Sequence, residues 1–542
     1  MMQSTVEDLR RSDRDLGAVT YPLPSGVVVE RDVRVKMRDG VHLGVTLYRP
    51  SKEGRFPVVM CVTAYGADFG PKDYSTLRVL QAEGKEVGTM HISDVATWEG
   101  PDPGFWVPND YAVVVGNPRG FYDSEGEPGA FSEQDATDYA DLIEWAGTQF
   151  WSNGAVGLNG VSYLAINQWM VASLTKPSHL KAIVPWEGAS DHLRDSMQHG
   201  GIPETRFWPA WLTRSIVRGA GEAILARGPA LLRQAMEHPL PLENIDVPAL
   251  ICASWSDHGL HSRGSMEAFL RISSSQKWLY THGGPKWEVY YSADALEWQK
   301  AFFDHFLKGE DNGFEKRPRI RLEVRRTKQD VEVRSEDSWP LDRTEFTLRY
   351  LDLEQGRLVA EAPHASQSCL YDAEAREAVE FDLTFESRIE VTGPMVLKLW
   401  VAAKDADDLD LFVAIRKIGR DGREVHFSGT SGRREGSAAL GWLRVSQRHL
   451  DIERSRPWRP FLSHDRSEKL QPGDIVPVEV EILPSSTLFE AGETLRLAVS
   501  GRDIFFEQAI FGHDDTVNKG RHELHAGAAF PSHLIIPIVS FD

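Results

Sequence analysis

Ser162 follows Gly160 by two residues and is followed at once by Tyr163, in the run Gly160-Val161-Ser162-Tyr163-Leu164-Ala165. Before it, Ala155-Val156-Gly157-Leu158-Asn159 reads as a short buried strand; after it, Ile166 to Leu174 reads as a helix. A serine on a tight strand-to-helix turn is the geometry of a nucleophile elbow, in which a strained backbone holds the hydroxyl clear of the sheet. Gly160 lets the helix approach closely. Such a hydroxyl attacks carbonyl carbon if a base takes its proton, an acid orients the base and donors meet the oxyanion. The same residues also read as an ordinary turn with Ser162 as helix N-cap. Leu164 stands where the general G-x-S-x-G pattern has its second glycine, so the surroundings must decide.

In this chemistry the chain order is Ser, then Asp or Glu, then His, with acid and base on loops past the carboxyl ends of strands. The strand-like run Ala249 to Ala253 leads into Ser254-Trp255-Ser256-Asp257-His258-Gly259, which makes Asp257 the candidate acid. Its structural alternative is an Asx-turn into Gly259. Lys277 to Thr281 ends in His282-Gly283-Gly284-Pro285, which makes His282 the candidate base. His258 and His261 compete, but both follow the same strand as Asp257 and would have to turn back on it; His305 lies on an expected surface helix. The backbone N–H of Tyr163 is one oxyanion donor. A second is expected from Ala64-Tyr65-Gly66-Ala67-Asp68, after the apolar run Pro57 to Thr63; on the residues alone, Tyr65 reads better as a half-buried packing aromatic.

The elements that would position these groups alternate strand and helix. Val27 to Met37 and Val41 to Tyr48 read as a hairpin turning at Asp39-Gly40. Pro57 to Thr63, Tyr111 to Val115, Lys181 to Pro185, Ala249 to Ala253 and Lys277 to Thr281 read as buried parallel strands. Ser132 with Asp135 reads as a capping box opening a helix. Between Gly188 and Glu243 helical signals dominate, at Leu212 to Ala226 and Leu231 to Glu237, among Asp191, His192, Asp195, Phe207, Trp208 and Trp211. That stretch reads as a helical insertion over the sheet, where a lid would sit. Beyond Gly309-Glu310-Asp311-Asn312-Gly313 come many short strands with Gly and Pro turns, an all-β sandwich pattern. The expected fold is therefore α/β with a helical cap and a C-terminal β-sandwich. Residues 1–187 and 244–312 form the two parts of the α/β domain, 188–243 the cap and 313–542 the sandwich.

At 542 residues the chain needs two or three cores. A formal net charge of −20 argues against a nucleic-acid partner, which would need clustered Lys and Arg. Cys61, Cys252 and Cys369 form no C-x-x-C pair, so neither a zinc site nor a disulfide framework is indicated. Met1 to Leu16 is charged without an apolar segment, and no run of eighteen apolar residues occurs. A cytoplasmic protein without membrane contact is the expectation.

Taken together the motifs resemble the cocaine-esterase and X-Pro dipeptidyl-peptidase family, which includes α-amino acid ester hydrolases. The resemblance runs from about Val29 to Phe541. It rests on the G-x-S-Y-x-G elbow, matched except for Ala165 at its end, and on Trp145 with Trp151-Ser152-Asn153-Gly154-Ala155-Val156-Gly157. Further matches are Arg119-Gly120 with Ser124-Glu125-Gly126, Gly393-Pro394 before a long strand, and Asp407-Asp408-Leu409-Asp410-Leu411. The resemblance implies an α/β-hydrolase domain, a helical cap and a C-terminal jelly roll. It implies that Tyr65 donates its hydroxyl to the oxyanion, supports Asp257 in a W-x-D segment, and implies no metal or organic cofactor. Many relatives read G-P-W-x-H near the base, where this chain reads Thr281-His282-Gly283-Gly284-Pro285-Lys286-Trp287.

The expectation is then a serine esterase with the triad Ser162, Asp257, His282 and an acyl-enzyme intermediate, acting on a small-molecule ester or amide. Trp186, Trp208 and Trp255 are candidate substrate contacts, and a homodimer is possible. An amide or peptide hydrolase is the runner-up; it needs acids such as Asp68, Asp191 or Asp195 to hold a substrate ammonium. A binding protein with a vestigial elbow is the alternative of a different class.

Overall fold

The computed structural model describes residues 17–237, 239–504 and 511–540; the expectation for Met1 to Leu16 lies outside them. The chain divides into two units. The first comprises Met1–Leu193, Trp208–Ser254 and Gly264–Arg319; the second comprises Arg194–Phe207, Trp255–Arg263 and Ile320–Asp542.

In the first unit eight strands build one sheet: β1 (Val27–Lys36), β2 (His42–Pro50), β3 (Phe56–Val62), β4 (Ala112–Gly116), β5 (Ser152–Val161), β6 (Leu180–Trp186), β7 (Ala249–Ser254) and β8 (Lys277–His282). Their order is 1-2-4-3-5-6-7-8, antiparallel for the β1–β2 and β2–β4 pairs and parallel thereafter. Strands β3, β4 and β7 are buried along their whole length, as a sheet covered on both faces requires. The hairpin turns where expected, with Gly40 at φ 95°. Helix α1 (Glu133–Gly147) opens with the capping box, the Ser132 and Asp135 side chains each bonding the other's backbone N–H. Helix α2 (Tyr163–Leu174) starts directly at the serine and is buried along almost its whole length.

The expected helix over Leu212 to Ala226 is broken. A turn at Gly221, φ 75°, separates it from α3 (Ala223–Glu237), because a positive φ ends a helix and glycine takes it without a Cβ clash. The expected 188–243 cap also divides between the units: Arg194–Phe207 belongs to the second and Trp208 onward to the first. Helix α4 (Ala293–Lys308) packs on the central strand β5, where a Cβ added at Gly157 would lie 2.6 Å from Phe303 Cε1. Among the described residues no helix is long and apolar enough to cross a membrane.

The second unit is almost wholly antiparallel. Its longest pair joins Ile389–Ala403 to Val476–Phe489. Alternate residues such as Leu397, Leu399, Val413, Ile415, Val480 and Leu497 fill one core. Gly393-Pro394 lies inside the long strand rather than before it: Gly393, at φ 140°, marks a bulge where the register shifts, and so a position where proline costs no ladder bond. The acidic run is structural. Asp408 accepts the Ser446 and Leu409 N–H groups, and buried Asp410 takes both arms of Arg444 at 2.8 and 2.9 Å.

Replacing Gly157 with valine forces a side chain into Phe303 and Leu307. The expected cost is about 1–3 kcal/mol, read as a lower thermal midpoint by circular dichroism, with unchanged secondary structure at low temperature.

Candidate functional site: a strained serine turn and two imidazole–carboxylate pairs

Ser162 has φ 59° and ψ −116°, a conformation that costs a non-glycine residue about 1–3 kcal/mol and persists only where its surroundings enforce it. The enforcing contacts come from the end of β6. The Ser162 N–H donates to the carbonyls of Trp186 and Glu187, both at 3.1 Å, while the Ser162 carbonyl accepts the N–H groups of Ala165 and Ile166 at 2.9 Å. The side chain makes no N-cap bond to the helix it precedes, so the capping alternative fails. Gly160 (φ 150°) has no room for a Cβ, which would lie 2.6 Å from the Cβ of Leu164. Leucine fits at 164 because position 160 is bare. The Ala165 methyl is accommodated by Gly188, where a Cβ would fall 2.9 Å from it.

In the first unit His282 is the last residue of β8, still paired with Ser254 across the ladder, and 1% exposed. Its Nε2 is 2.9 Å from Glu187 Oε1, and its Nδ1 is buried without a hydrogen-bond partner. Glu187 is fully buried at φ 53°, directly after β6. Glu187, Cys252 and His282 bring an oxygen, a sulfur and a nitrogen within 4.8 Å of one another, a set that could hold a metal ion. The direct Glu187–His282 contact has hydrogen-bond length, shorter than two ligands spread around an ion at 2.0–2.3 Å usually show.

In the second unit Asp257 pairs with His261 rather than with His282. The Leu260, His261 and Ser262 N–H groups all reach the Asp257 carbonyl, at 3.2 to 3.4 Å, with Gly259 at φ 86° inside the turn. One helical turn thus lays the His261 ring on the carboxylate four residues earlier, Nδ1 to Oδ2, both side chains 1% exposed. This corrects the expected Asp257–His282 pairing on two physical grounds. The ladder runs one residue further than the apolar pattern indicates and takes His282 into the sheet. The loop after β7 does coil back. His258 turns elsewhere, its Nε2 3.0 Å from the Pro484 carbonyl.

Within the first unit, the Tyr65 and Tyr163 rings meet edge to face at 6.2 Å. The Trp211 indole N–H donates to the Tyr65 hydroxyl at 3.3 Å. Burial, with the charge of Glu99 nearby, pushes the Tyr65 hydroxyl well above the ordinary tyrosine range, so it stays a proton donor at any working pH. The Tyr163 N–H opens α2, where a helix has no intrahelical acceptor for it. Glu99 (φ 64°) borders both: its carbonyl accepts the Val161 N–H at 3.0 Å and its carboxylate the Trp287 indole N–H at 2.9 Å.

The three tryptophans expected at the substrate are packing residues. Trp186 is fully buried between Tyr280 and Tyr290, at 4.9 and 5.5 Å. Trp208 packs on Trp211, His192 and Phe131. Trp255, in the second unit, donates its indole N–H to the Glu323 carbonyl at 2.8 Å and stacks on Trp339. Sequence reasoning missed Glu187, Glu99 and Trp211 as site residues. Glu187 follows a strand end in the same way as Asp257, so the strand-end rule would have found it; nothing in the sequence marks Glu99.

Comparison with known proteins gives this geometry a lineage. A family model described as X-Pro dipeptidyl-peptidase (S15 family) matches residues 39–237. Another, the X-Pro dipeptidyl-peptidase C-terminal non-catalytic domain, matches 312–535. The crystal structure of a CocE/NonD family hydrolase from Staphylococcus aureus is 43% identical, with a TM-score of 0.89 over 95% of this chain and 94% of that one. The chain belongs to the CocE/NonD hydrolase family. Cocaine esterase from Rhodococcus sp. (strain MB1 Bresler) is 24% identical over 94% of this chain and 98% of its own length. An α-amino acid ester hydrolase structure, at 16% identity and TM-score 0.64, shares the fold. This CocE/NonD chain is a serine hydrolase, with an α/β-hydrolase domain and a C-terminal β-rich domain.

Because a Cβ at Gly160 would meet the Cβ of Leu164 and φ 150° disfavours any side chain there, Gly160→Ala should cut hydrolysis sharply; adding Leu164→Ala, which keeps that Cβ, should not restore it, and adding Leu164→Gly should restore at most a part. Rates of the single and double variants on one chromogenic ester check this coupling.

Proposed function

We propose that the enzyme cleaves carboxylic esters through an acyl-enzyme on Ser162, with His261 as general base, Asp257 as its orienting acid, and Tyr65 and the Tyr163 N–H as oxyanion donors. The observation that carries the nucleophile is the strained Ser162 turn, held at the end of β6 with its side chain unused as a cap. The observation that favours His261 over His282 is the partnering of the two rings. Asp257 on Nδ1 fixes the His261 tautomer that presents a basic Nε2, the role an orienting acid has in this chemistry. In His282 it is Nε2 that is engaged, by Glu187, and Nδ1 is buried.

In the proposed cycle His261 Nε2 takes the Ser162 proton as Oγ attacks the carbonyl carbon. The tetrahedral oxyanion is met by the Tyr65 hydroxyl and the Tyr163 N–H. His261 then protonates the departing alcohol, and water, deprotonated by the same ring, releases the acid and regenerates Ser162. Asp257 stays ionised and stabilises the imidazolium.

Ester rather than amide cleavage is favoured by the state of two of the three acids that a substrate ammonium would need. Asp195 is paired with Arg263 at 2.9 Å, and Asp68 accepts the Thr46 hydroxyl at 2.6 Å and faces Arg31. The amide reading keeps one support, the description of both matching family models as X-Pro dipeptidyl-peptidase.

A panel of p-nitrophenyl esters and aminoacyl-Pro anilides separates the two: turnover of esters is expected, and turnover of the anilides alone would overturn the ester reading. On the best ester, Ser162→Ala and His261→Ala should each lower kcat by about 10⁴–10⁶-fold and Tyr65→Phe by about 10²–10³-fold. His282→Asn should leave far more activity than His261→Ala; the reverse ranking would return the base to His282.

A further inference from the structure

In the second unit the turn from Asp257 to His261 is held from outside by side chains of the same unit. The Asp257 carbonyl already takes the Leu260, His261 and Ser262 N–H groups. The next two carbonyls are taken by side chains. The Thr430 hydroxyl donates to the His258 carbonyl at 2.6 Å, and His199 Nε2 lies 2.6 Å from the Gly259 carbonyl. With the His258 ring on the Pro484 carbonyl, both residues that follow Asp257 are tethered. No step of the proposed cycle uses His199 or Thr430.

His199 is itself fixed on several sides. It ends the short strand Gln198–His199, which pairs with Ile202–Pro203 as a hairpin. The Arg444 N–H donates to the Gly200 carbonyl at 2.9 Å, which ties the hairpin to the strand Ala439–Arg444. The ring is 2% exposed and stacks on the Trp442 indole at 4.7 Å. It lies so near Gly259 that a Cβ added there would be 3.3 Å from both Cε1 and Nε2.

The hydrogen bonds also fix where the protons sit. A carbonyl only accepts, so His199 Nε2 carries a proton. Burial, reinforced by the charge of His513, pushes His199 down to about 3, so the ring is neutral and its Nδ1 is an acceptor. His513 Nε2, 2.7 Å away, then donates to it. His513 Nδ1 donates to Asp503 Oδ1 at 2.9 Å, and the His513 backbone N–H donates to Asp503 Oδ2 at 3.0 Å. Burial opposes ionisation of Asp503, yet His513 holds its carboxyl below the usual carboxylate range. The chain Asp503–His513–His199–Gly259 therefore runs in one direction, and it selects the His199 tautomer that donates to the turn.

We propose that His199, ordered by His513 and Asp503, is a positioning residue for the reaction: it locks the Gly259 peptide and so keeps the His261 ring on Asp257 in the orientation a base needs. The proposal rests on the reading of His261 as base. It gives a part in turnover to a region whose matching family model is described as non-catalytic, since Thr430, Asp503 and His513 lie within residues 312–535. Misplacing a reacting group by about 1 Å can cost about 10²-fold in rate, so a clamp on the base acts on kcat.

The test measures kcat and KM on the best ester for two full-length variants. His199→Phe keeps a flat ring for Trp442 but has no donor; in His199→Gln a side-chain amide N–H can take the place of Nε2. His199→Phe should lower kcat by about 10–100-fold with KM within about two-fold, and His199→Gln should recover most of that loss. Unchanged kcat in His199→Phe, a loss carried by KM alone, or equal losses in folded His199→Phe and His199→Gln would overturn the proposal. If His199→Phe does not fold, Thr430→Val replaces it; it should lower kcat about three-fold or more, and unchanged kcat overturns the clamp instead. The base reading fails separately. Wild-type kcat in His261→Ala removes that reading, whereas an inactive His261→Ala beside an unimpaired His199→Phe removes the clamp alone.

Discussion

The local geometry of the site depends on two hydrogen bonds from one backbone N–H. The N–H of Ser162 reaches the carbonyls of Trp186 and Glu187, and this tie across the β5–β6 edge holds a serine at a φ it would otherwise avoid. The strain is tolerable because it is distributed. Gly160 supplies its own unusual φ, Leu164 occupies the space that glycine leaves, and Gly188 yields room for the Ala165 methyl. Each small residue answers one contact. The turn is thus an arrangement of mutually dependent side-chain sizes, and single changes within it propagate to the hydroxyl.

The same edge explains why a buried carboxylate sits under the serine turn. Glu187 holds Ser162 with its backbone carbonyl, donates its own backbone N–H to the Cys252 carbonyl, and spends its side chain on His282. An imidazole–carboxylate pair in that position braces the strand ends β6, β7 and β8 against one another. His282 is thereby a structural partner of the turn's support, and under the proposed reading the base is the ring that Asp257 orients. Burial makes both pairs consequential: in a dry site an unpaired carboxylate or imidazole is costly, so each ring is fixed by the acid it faces.

Much of this was legible in the sequence because it depends on local chemistry. The elbow follows from a glycine two residues before a serine between an apolar strand and a helix. The Ser132–Asp135 capping box follows from spacing alone, and Asp257, the acid of the proposed reading, is picked out by its place just past a strand. What was not legible depends on where a strand stops and how a loop coils. Apolar periodicity ends β8 at Thr281, yet the ladder continues to His282 opposite Ser254, and that single residue decides whether the ring stands free or lies in the sheet. The turn from Asp257 to His261 requires Gly259 at positive φ, which the sequence permits without demanding. The tryptophans misled for a related reason: aromatic content near a site is visible in sequence, but whether an indole faces solvent or a neighbouring ring is settled by packing. The break at Gly221 and the division of residues 188–243 between two units are likewise tertiary outcomes.

The most direct measurement is covalent labelling with a fluorophosphonate followed by peptide mass mapping of the wild-type enzyme and its two histidine variants. The account predicts one adduct, on Ser162, formed readily in the wild type and in His282→Asn and lost or greatly slowed in folded His261→Ala. An adduct on a different serine, an inert Ser162 in folded protein, or labelling that survives loss of His261 but not of His282 would contradict it.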